Sequence, residues 1–300
     1  MNEVRSASAA AAGSAMIAGA SIVATRFVIG QTDPLSLAFY RFALASLCFL
    51  PLIVVALREK AVSPRDLVAI AALGTLFFGF FPWAFSASLN YTTAGRGAVG
   101  IATIPIATLL LSFVFGRESV SIQKIIGVFL AFCGVAVAFS DALMSDDGVG
   151  DYLLGDALML VAAFIAAIYT VFAQPYLQRY GPFVVTGLAM ILGALAMATL
   201  NITIGSLTGI PSFSTSGWIA VLFLGIVGGA IQWALYTWAL RWISPIRVAI
   251  FATLTPISAV ILANLILGES LTVWLIFGLI LIIAAIFVAN LSGSVSRKDM

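Results

Sequence analysis

The sequence predicts an all-α integral membrane protein, with ten transmembrane helices arranged as two inverted repeats of five. Three observations predict it. Hydrophobic residues make up 62% of the 300-residue chain and charged residues only 9%, whereas a soluble domain carries about 25% charged residues to keep its surface wet. The apolar residues gather into ten runs of a length that suits a bilayer, since a spanning helix needs roughly 20 residues to cross about 30 Å of hydrocarbon. Finally, the stretch IPIATLLLSFVFGRES at 104–119 returns as TPISAVILANLILGES at 255–270.

The ten expected spans are 9–30, 34–57, 65–88, 94–115, 121–140, 153–174, 182–204, 216–240, 245–267 and 272–291. Helices are expected because every backbone group in lipid must be satisfied internally, and unbroken apolar runs of this length do not suit barrel strands. Span 1 is rich in Ala and Ser and is the least apolar. Its SASAAAAGSA segment resembles a signal-peptide cleavage region but lacks a strongly basic flank, and removing it would leave an odd helix count. Span 2 carries Arg41 inside AFYRFALAS, and span 3 holds GTLFFGFFPWAF at 74–85. Span 4 contains Pro105, and span 5 contains Cys133, which with Cys48 of span 2 reads as a small buried residue. Span 6 contributes Tyr169 and Phe172, span 8 holds GIVGGAIQWALY at 225–236, span 9 contains Pro256 and span 10 Gly278.

Orientation follows from the basic residues, which stay on the cytoplasmic side in short loops. With the N-terminus inside, 11 of the 14 Lys and Arg residues fall on the inner side, leaving Arg26, Arg41 and Arg96 near the outer side. The loop SDALMSDDGVGD between spans 5 and 6 is acidic and has no Lys or Arg, as suits an outer loop. Both termini are expected in the cytoplasm.

The repeat extends beyond the twin stretches. Shifting 96–127 by 151 residues places Arg96 on Arg247, Pro105 on Pro256, Glu118 on Glu269 and Gly127 on Gly278, with 9 of 32 positions identical. The same frame puts Gly74 on Gly225 and Phe85 on Tyr236. Spans 1–2 align with spans 6–7 only loosely. The expected organisation is a first repeat over 1–140, an acidic outer linker over 141–152 and a second repeat over 153–300. Five helices is an odd number, so the second repeat enters the membrane from the opposite side. Inverted repeats are typical of secondary transporters, whose substrate site lies near the midplane between the halves.

Residues 88–137 and 239–288 resemble the paired EamA-type domains of the drug/metabolite transporter superfamily. The resemblance rests on the proline of span 4 or 9, the G-x-E or G-E turn after it, the glycine of span 5 or 10, and Arg41 in AFYRFALAS. Within that superfamily the chain looks most like bacterial exporters of the YddG type, which the family association links to aromatic amino acids. The resemblance implies a bacterial inner-membrane location and a central cavity shaped by helices 1, 3, 4, 6, 8 and 9.

Glycine- or proline-interrupted segments at corresponding places in both halves point to a transport site. In span 8, Gly225, Gly229, Gln232 and Tyr236 follow spacings of four, three and four and so share one helical face. Their counterparts in span 3 are Gly74, Phe78, Phe81 and Phe85, with Trp83 beside Pro82 at a kink, while Trp233 follows Gln232 on an adjacent face. Tyr169 joins them from span 6. These residues either wall a cavity or pack against neighbouring helices and lipid, and the two glycines serve either a ligand or close helix approach. Gln232 needs a partner, because an unpaired amide in hydrocarbon is costly. An aromatic, mildly polar pocket suits flat amphipathic solutes and argues against phosphorylated sugars, which want several inward cations. Arg41 could hold a substrate carboxylate, pair with Asp33, or snorkel to the outer interface. Pro105, Pro256 and Pro82 are candidate hinges.

The chain has no His, no G-x-x-x-x-G-K-[ST] phosphate loop, and every Asp or Glu lies at or near a span end. The expectation is therefore facilitated diffusion of small metabolites, amino acids included, with proton antiport through Glu118 or Glu269 as the alternative and a channel as the rival from another class. No enzyme activity, no cofactor, no metal and no nucleic-acid partner are expected. The partners are a small-molecule substrate and membrane lipid, and the protein is either a monomer or a homodimer.

Overall fold

A computed structural model describes residues 2–59, 61–116, 121–144, 149–204, 212–242, 251–252 and 254–290. Every regular element among them is helical. Helix α1 covers Asn2–Val28 and ends in a short 3-10 turn, Ile29–Gln31; α2 covers Pro34–Glu59. Helix α3 spans Pro64–Tyr91, and its middle, Thr75–Phe80, is π-helical. Helix α4 spans Ala94–Val114 and breaks at residues 102–103. The first half closes with α5, Ile122–Met144.

In the second half α6 covers Val149–Tyr180 and α7 Pro182–Thr203. Helix α8 runs through Thr215–Leu222, a π segment at Phe223–Ile231, and Gln232–Trp242. Helix α9 spans Leu254–Leu267, and α10 covers Val273–Asn290. Among the described residues seven of these helices are long and apolar enough to cross a membrane, and three shorter apolar stretches lie in α5, α9 and α10. The expected span starting at 245 falls partly outside the described residues, as do Glu118, Arg247 and the acidic loop around 145–148.

Local chemistry sets the boundaries. Asp33 accepts hydrogen bonds from the backbone N–H groups of Leu35 and Ser36 and starts α2 at Pro34. Ser63, Thr93 and Ser214 cap α3, α4 and α8 in the same way through the N–H groups of Asp66, Arg96 and Gly217. Pro182 sits in the first turn of α7, where its missing N–H costs nothing. Helices α4 and α9 each stop at a left-handed glycine, Gly116 at φ +64° and Gly268 at φ +68°. These are the two glycines of the repeated turn motif.

The two halves interlock. Helix α1 packs on α8 and α9, and α6 packs on α3 and α4; α2 runs along α7, and α5 along α10. Exchanging each helix for its counterpart five places on leaves this pattern unchanged. Counterparts α2 and α7 run in opposite directions, since Ser36 at the start of one donates to Asn201 Oδ1 at the end of the other, 3.1 Å away. So do α4 and α9, because Glu269 just beyond α9 accepts from Ala94 and Gly95 at the start of α4. Close approach demands glycine at the crossing of α3 and α7: a Cβ on Gly74 would lie 2.7 Å from Ala189 Cα, and one on Gly193 would lie 2.9 Å from Phe78 Cβ.

Candidate functional site

The π segments of α3 and α8 occupy corresponding places. A shift of 151 residues carries 75–80 onto 226–231, inside the π segment of α8. Each π turn takes an extra residue, which re-aims every side chain beyond it and redirects backbone carbonyls, and such turns recur at functional sites. Between the two lies a cluster of rings from α2, α3, α6 and α8. Phe77 stacks on Tyr169 with centroids 4.3 Å apart and planes at 12°, and on Phe81 at 5.1 Å. Trp233 meets Phe77 edge-on at 5.1 Å and Phe78 at 5.6 Å. Phe78 also touches Phe42 of α2, centroids 5.2 Å apart, and Tyr236 closes the far side against Trp233 at 5.4 Å. Edge-to-face and offset stacks of this kind are each worth about 0.5–1.5 kcal/mol beyond the area they bury.

Polar atoms are set into this apolar wall without partners. Among the described residues, Tyr169 OH, Trp233 Nε1, Gln232 Oε1, Thr186 Oγ1 and Arg41 Nε are buried and make no hydrogen bond. Thr186 of α7 and Tyr236 neighbour the Tyr169 hydroxyl. A buried unsatisfied polar group costs about 1–3 kcal/mol; Tyr169 OH and Thr186 Oγ1 are close enough to serve each other, so Trp233 Nε1 and Arg41 Nε are the atoms beside the rings that call for an occupant, either water or solute. Arg41 is 7% exposed; it donates from Nη2 to Gly228 O at 3.2 Å and lies over the Phe42 ring at 5.2 Å. Asp33 is engaged instead at the start of α2, so of the three roles open to Arg41, pairing with Asp33 and snorkelling both give way to an inward-facing position.

The remaining expected site residues divide between the cluster and its surroundings. Phe78, Phe81, Tyr169 and Tyr236 belong to it, and Phe85 extends it from Phe81 at 5.9 Å. Gln232 is 8% exposed and its carbonyl accepts from Ser14 Oγ of α1. Gly229 backs onto α2, where a Cβ would lie 2.7 Å from Ala45 Cβ. Trp83 is 38% exposed and lies outside the cluster. Pro82 follows directly on the π segment of α3, Pro105 on the break in α4, and Pro256 lies in the first turn of α9.

Sequence reasoning left out Phe77 and Thr186, and set Trp233 on a face adjacent to the expected site. It assumed a continuous α-helical face through Gly225, Gly229, Gln232 and Tyr236. The π segment turns that face: Gly225 and Gly229 look onto α2, whereas Tyr236 packs among α1 alanines, and Trp233 swings toward α3 and α6. The run of glycines GIVGGA was the signal available.

Charged groups tie the bundle at its ends. At one end Arg96 of α4 pairs with Asp156 of α6, which also accepts from Thr92 Oγ1 at 3.1 Å. Beside it, Glu269 accepts from the N–H groups of Ala94 at 2.9 Å and Gly95 at 3.1 Å, and Arg26 of α1 approaches it at 4.0 Å. At the other end Asp66 of α3 accepts from Arg179 and Tyr180 of α6. Each tie joins the first half to the second. Among the described residues no group of three His, Cys, Asp or Glu comes together that could hold a metal ion.

The profile of the EamA-like transporter family matches this sequence twice, over residues 5–140 and 153–291. An uncharacterized transporter of Archaeoglobus fulgidus is 28% identical over 271 residues, covering 90% of this chain and 93% of that protein. One from Clostridium kluyveri is 26% identical over 277 residues, covering 90% and 88%. A protein of known crystal structure superposes with a TM-score of 0.64 at 20% identity over 94% of this chain and 96% of the other, which speaks to the fold alone.

Proposed function

The chain belongs to the EamA-like transporter family and is a multi-pass membrane transporter, and on that premise we propose that it works by alternating access, moving small amphipathic metabolites, among them aromatic amino acids, by facilitated diffusion. The two matched halves act as inverted repeats that rock about a shared site near the membrane midplane. The carrying observation is the ring cluster between the π segments of α3 and α8, with its unsatisfied Tyr169, Trp233 and Gln232 atoms. Rings offer stacking surface to a flat solute, and the orphaned atoms offer it hydrogen bonds that water supplies in the empty state.

The antiparallel counterparts and the exchange-invariant packing support the inverted-repeat reading. The basic residues support cytoplasmic termini in a bacterial inner membrane. Facilitated diffusion is favoured over proton antiport because the buried Asp156 is committed to Arg96 and Thr92, and the half-buried Glu269 to the start of α4. A proton-coupled carrier ordinarily exposes an acid in its pathway.

The test is uptake of labelled phenylalanine, tryptophan and threonine into liposomes holding purified protein, with and without a pH gradient. Saturable uptake without the gradient is the expected result. Accumulation against a gradient only when a proton gradient is imposed would replace uniport with antiport, and a non-saturable flux would replace the carrier with a channel.

A further inference from the structure

Arg41 is the one buried charge among the described residues whose interactions include no counter-charge. Arg96 has Asp156, and Arg26 and Arg179 reach Glu269 and Asp66. The guanidinium of Arg41 lies inside the bundle: its acceptor, Gly228, is the fourteenth residue of the rod over 215–242, and Arg41 itself is the eighth residue of α2, about 10 Å of helix from its start. A cation at that depth without a carboxylate is expensive, and the single bond to Gly228 O occupies one of its five N–H donors while Nε is left with none. The Phe42 face beneath it touches Phe78, so the charge adjoins the ring cluster directly.

On the transport reading above, we infer that Arg41 is the anchor for a carboxylate on the solute, and that this carboxylate is the obligatory part of the recognised headgroup. The planar guanidinium matches a carboxylate in a two-bond fork, which also discharges the orphaned Nε. For an ammonium group the described residues offer neutral acceptors, namely the Tyr169 and Thr186 hydroxyls, Gln232 Oε1 and carbonyls of the π segments, together with ring faces, and no carboxylate. The site therefore accepts an aromatic acid with or without its α-amino group and rejects the amine that lacks the acid. The charge balance differs between solutes: an arylcarboxylate neutralises the Arg41 charge outright, whereas an amino acid, neutral overall, sets its carboxylate on the guanidinium and leaves its ammonium to the neutral acceptors.

The experiment is competition against labelled phenylalanine uptake by 3-phenylpropionate and by phenethylamine, read together with quenching of tryptophan fluorescence in detergent. In the wild type, phenylpropionate competes within about tenfold of phenylalanine, while phenethylamine fails at hundredfold excess. Arg41→Met weakens both acids by roughly 10- to 100-fold, the range for losing a hydrogen-bonded charge. It leaves the melting temperature without ligand equal or higher, because it removes an uncompensated buried charge. An arginine serving only to clasp α2 to α8 would lower it. Arg41→Lys retains the preference for acid over amine at reduced affinity. Equal competition by acid and amine, phenylalanine transport unaltered in Arg41→Met, or flux in Arg41→Lys without the preference overturns the assignment. If wild-type protein moves none of the labelled amino acids, the substrate reading fails first. Fluorescence then still scores the anchor: phenylpropionate quenches and phenethylamine does not, and quenching by neither or by both overturns it.

Discussion

Asp156→Asn isolates the tie between α4 and α6. Asp156 and Arg96 are both buried, with side-chain exposures of 4% and 9%. The carboxylate also takes Arg96 Nε at 3.3 Å and Thr92 Oγ1 at 3.1 Å, while the guanidinium lies over the Tyr152 ring at 5.5 Å. Asparagine keeps the shape and removes the charge, so Arg96 stays buried without the Asp156 counter-charge. Breaking a buried pair from one side costs about 3–5 kcal/mol, whereas replacing both partners with apolar residues is often neutral. The assay is a double-mutant cycle on unfolding in mixed micelles, with Asp156→Leu, Arg96→Met and the double variant, beside Asp156→Asn alone. Both single changes should be strongly destabilising and the double should recover most of the loss, giving a coupling of at least ~2 kcal/mol. Additive single effects, or a silent Asp156→Asn, would refute the argument that this pair holds the halves together.

Three further changes test other parts of the molecule. Glu269→Gln weakens the charged cap on Ala94 and Gly95 and the hold on Arg26, which donates to the Leu89 carbonyl, so a thiol introduced at the buried Leu89 should label several-fold faster; an unchanged rate would show that the cap is not a latch. Phe77→Ala removes the face that stacks on Tyr169, so the KM for phenylalanine should rise about tenfold while that for threonine moves little, and equal changes would place the ring in general packing. Deleting Ala230 from the π segment restores an α-helical ladder and turns Gln232–Trp242 by about 100°. Trp233 then leaves Phe77 and Phe78; folded, inserted protein without saturable flux is expected, and retained flux would sink the register argument.

The helical class and the positions of the turns were legible because they depend on composition and on Gly and Pro. Gly116 and Gly268 ended helices where the repeated motif placed them. The site was legible only in part. Arg41 could be picked as a charge inside an apolar run, Phe78 as the counterpart of the α8 face under the repeat and Tyr169 as an aromatic of span 6, but which side of α8 faces α3 depended on the π segment. No periodicity of 3.6 reports an extra residue per turn, so Trp233 was assigned to a neighbouring face. The ties at the ends were hidden for another reason. Arg96 and Asp156 are 60 residues apart, Arg26 and Glu269 belong to different halves, and nothing in a single sequence joins them.

The departures from ordinary helical chemistry are not spread evenly, and their distribution bears on mechanism. Most of the orphaned polar atoms and the π segments of α3 and α8 lie in the middle of the bundle, while the ion pairs described above lie at its ends. A rigid membrane protein would gain stability by replacing the former with aliphatic residues; their presence fits a site that exchanges water for solute. The two ends are also unequal. Arg96 and Asp156 are sealed from solvent, together with a two-bond cap from Glu269, whereas Arg179 is 62% exposed and its pair with Asp66 is weakened by water. Separating the halves at the Asp66 end therefore costs less than separating them at the Asp156 end. With no solute bound, the resting carrier should open toward the side that carries Asp66 and Arg179, and on the basic-residue orientation that side is the cytoplasm. On the proposal above, a carboxylate settling on Arg41 from that side supplies the differential contact that tips the balance toward the far side.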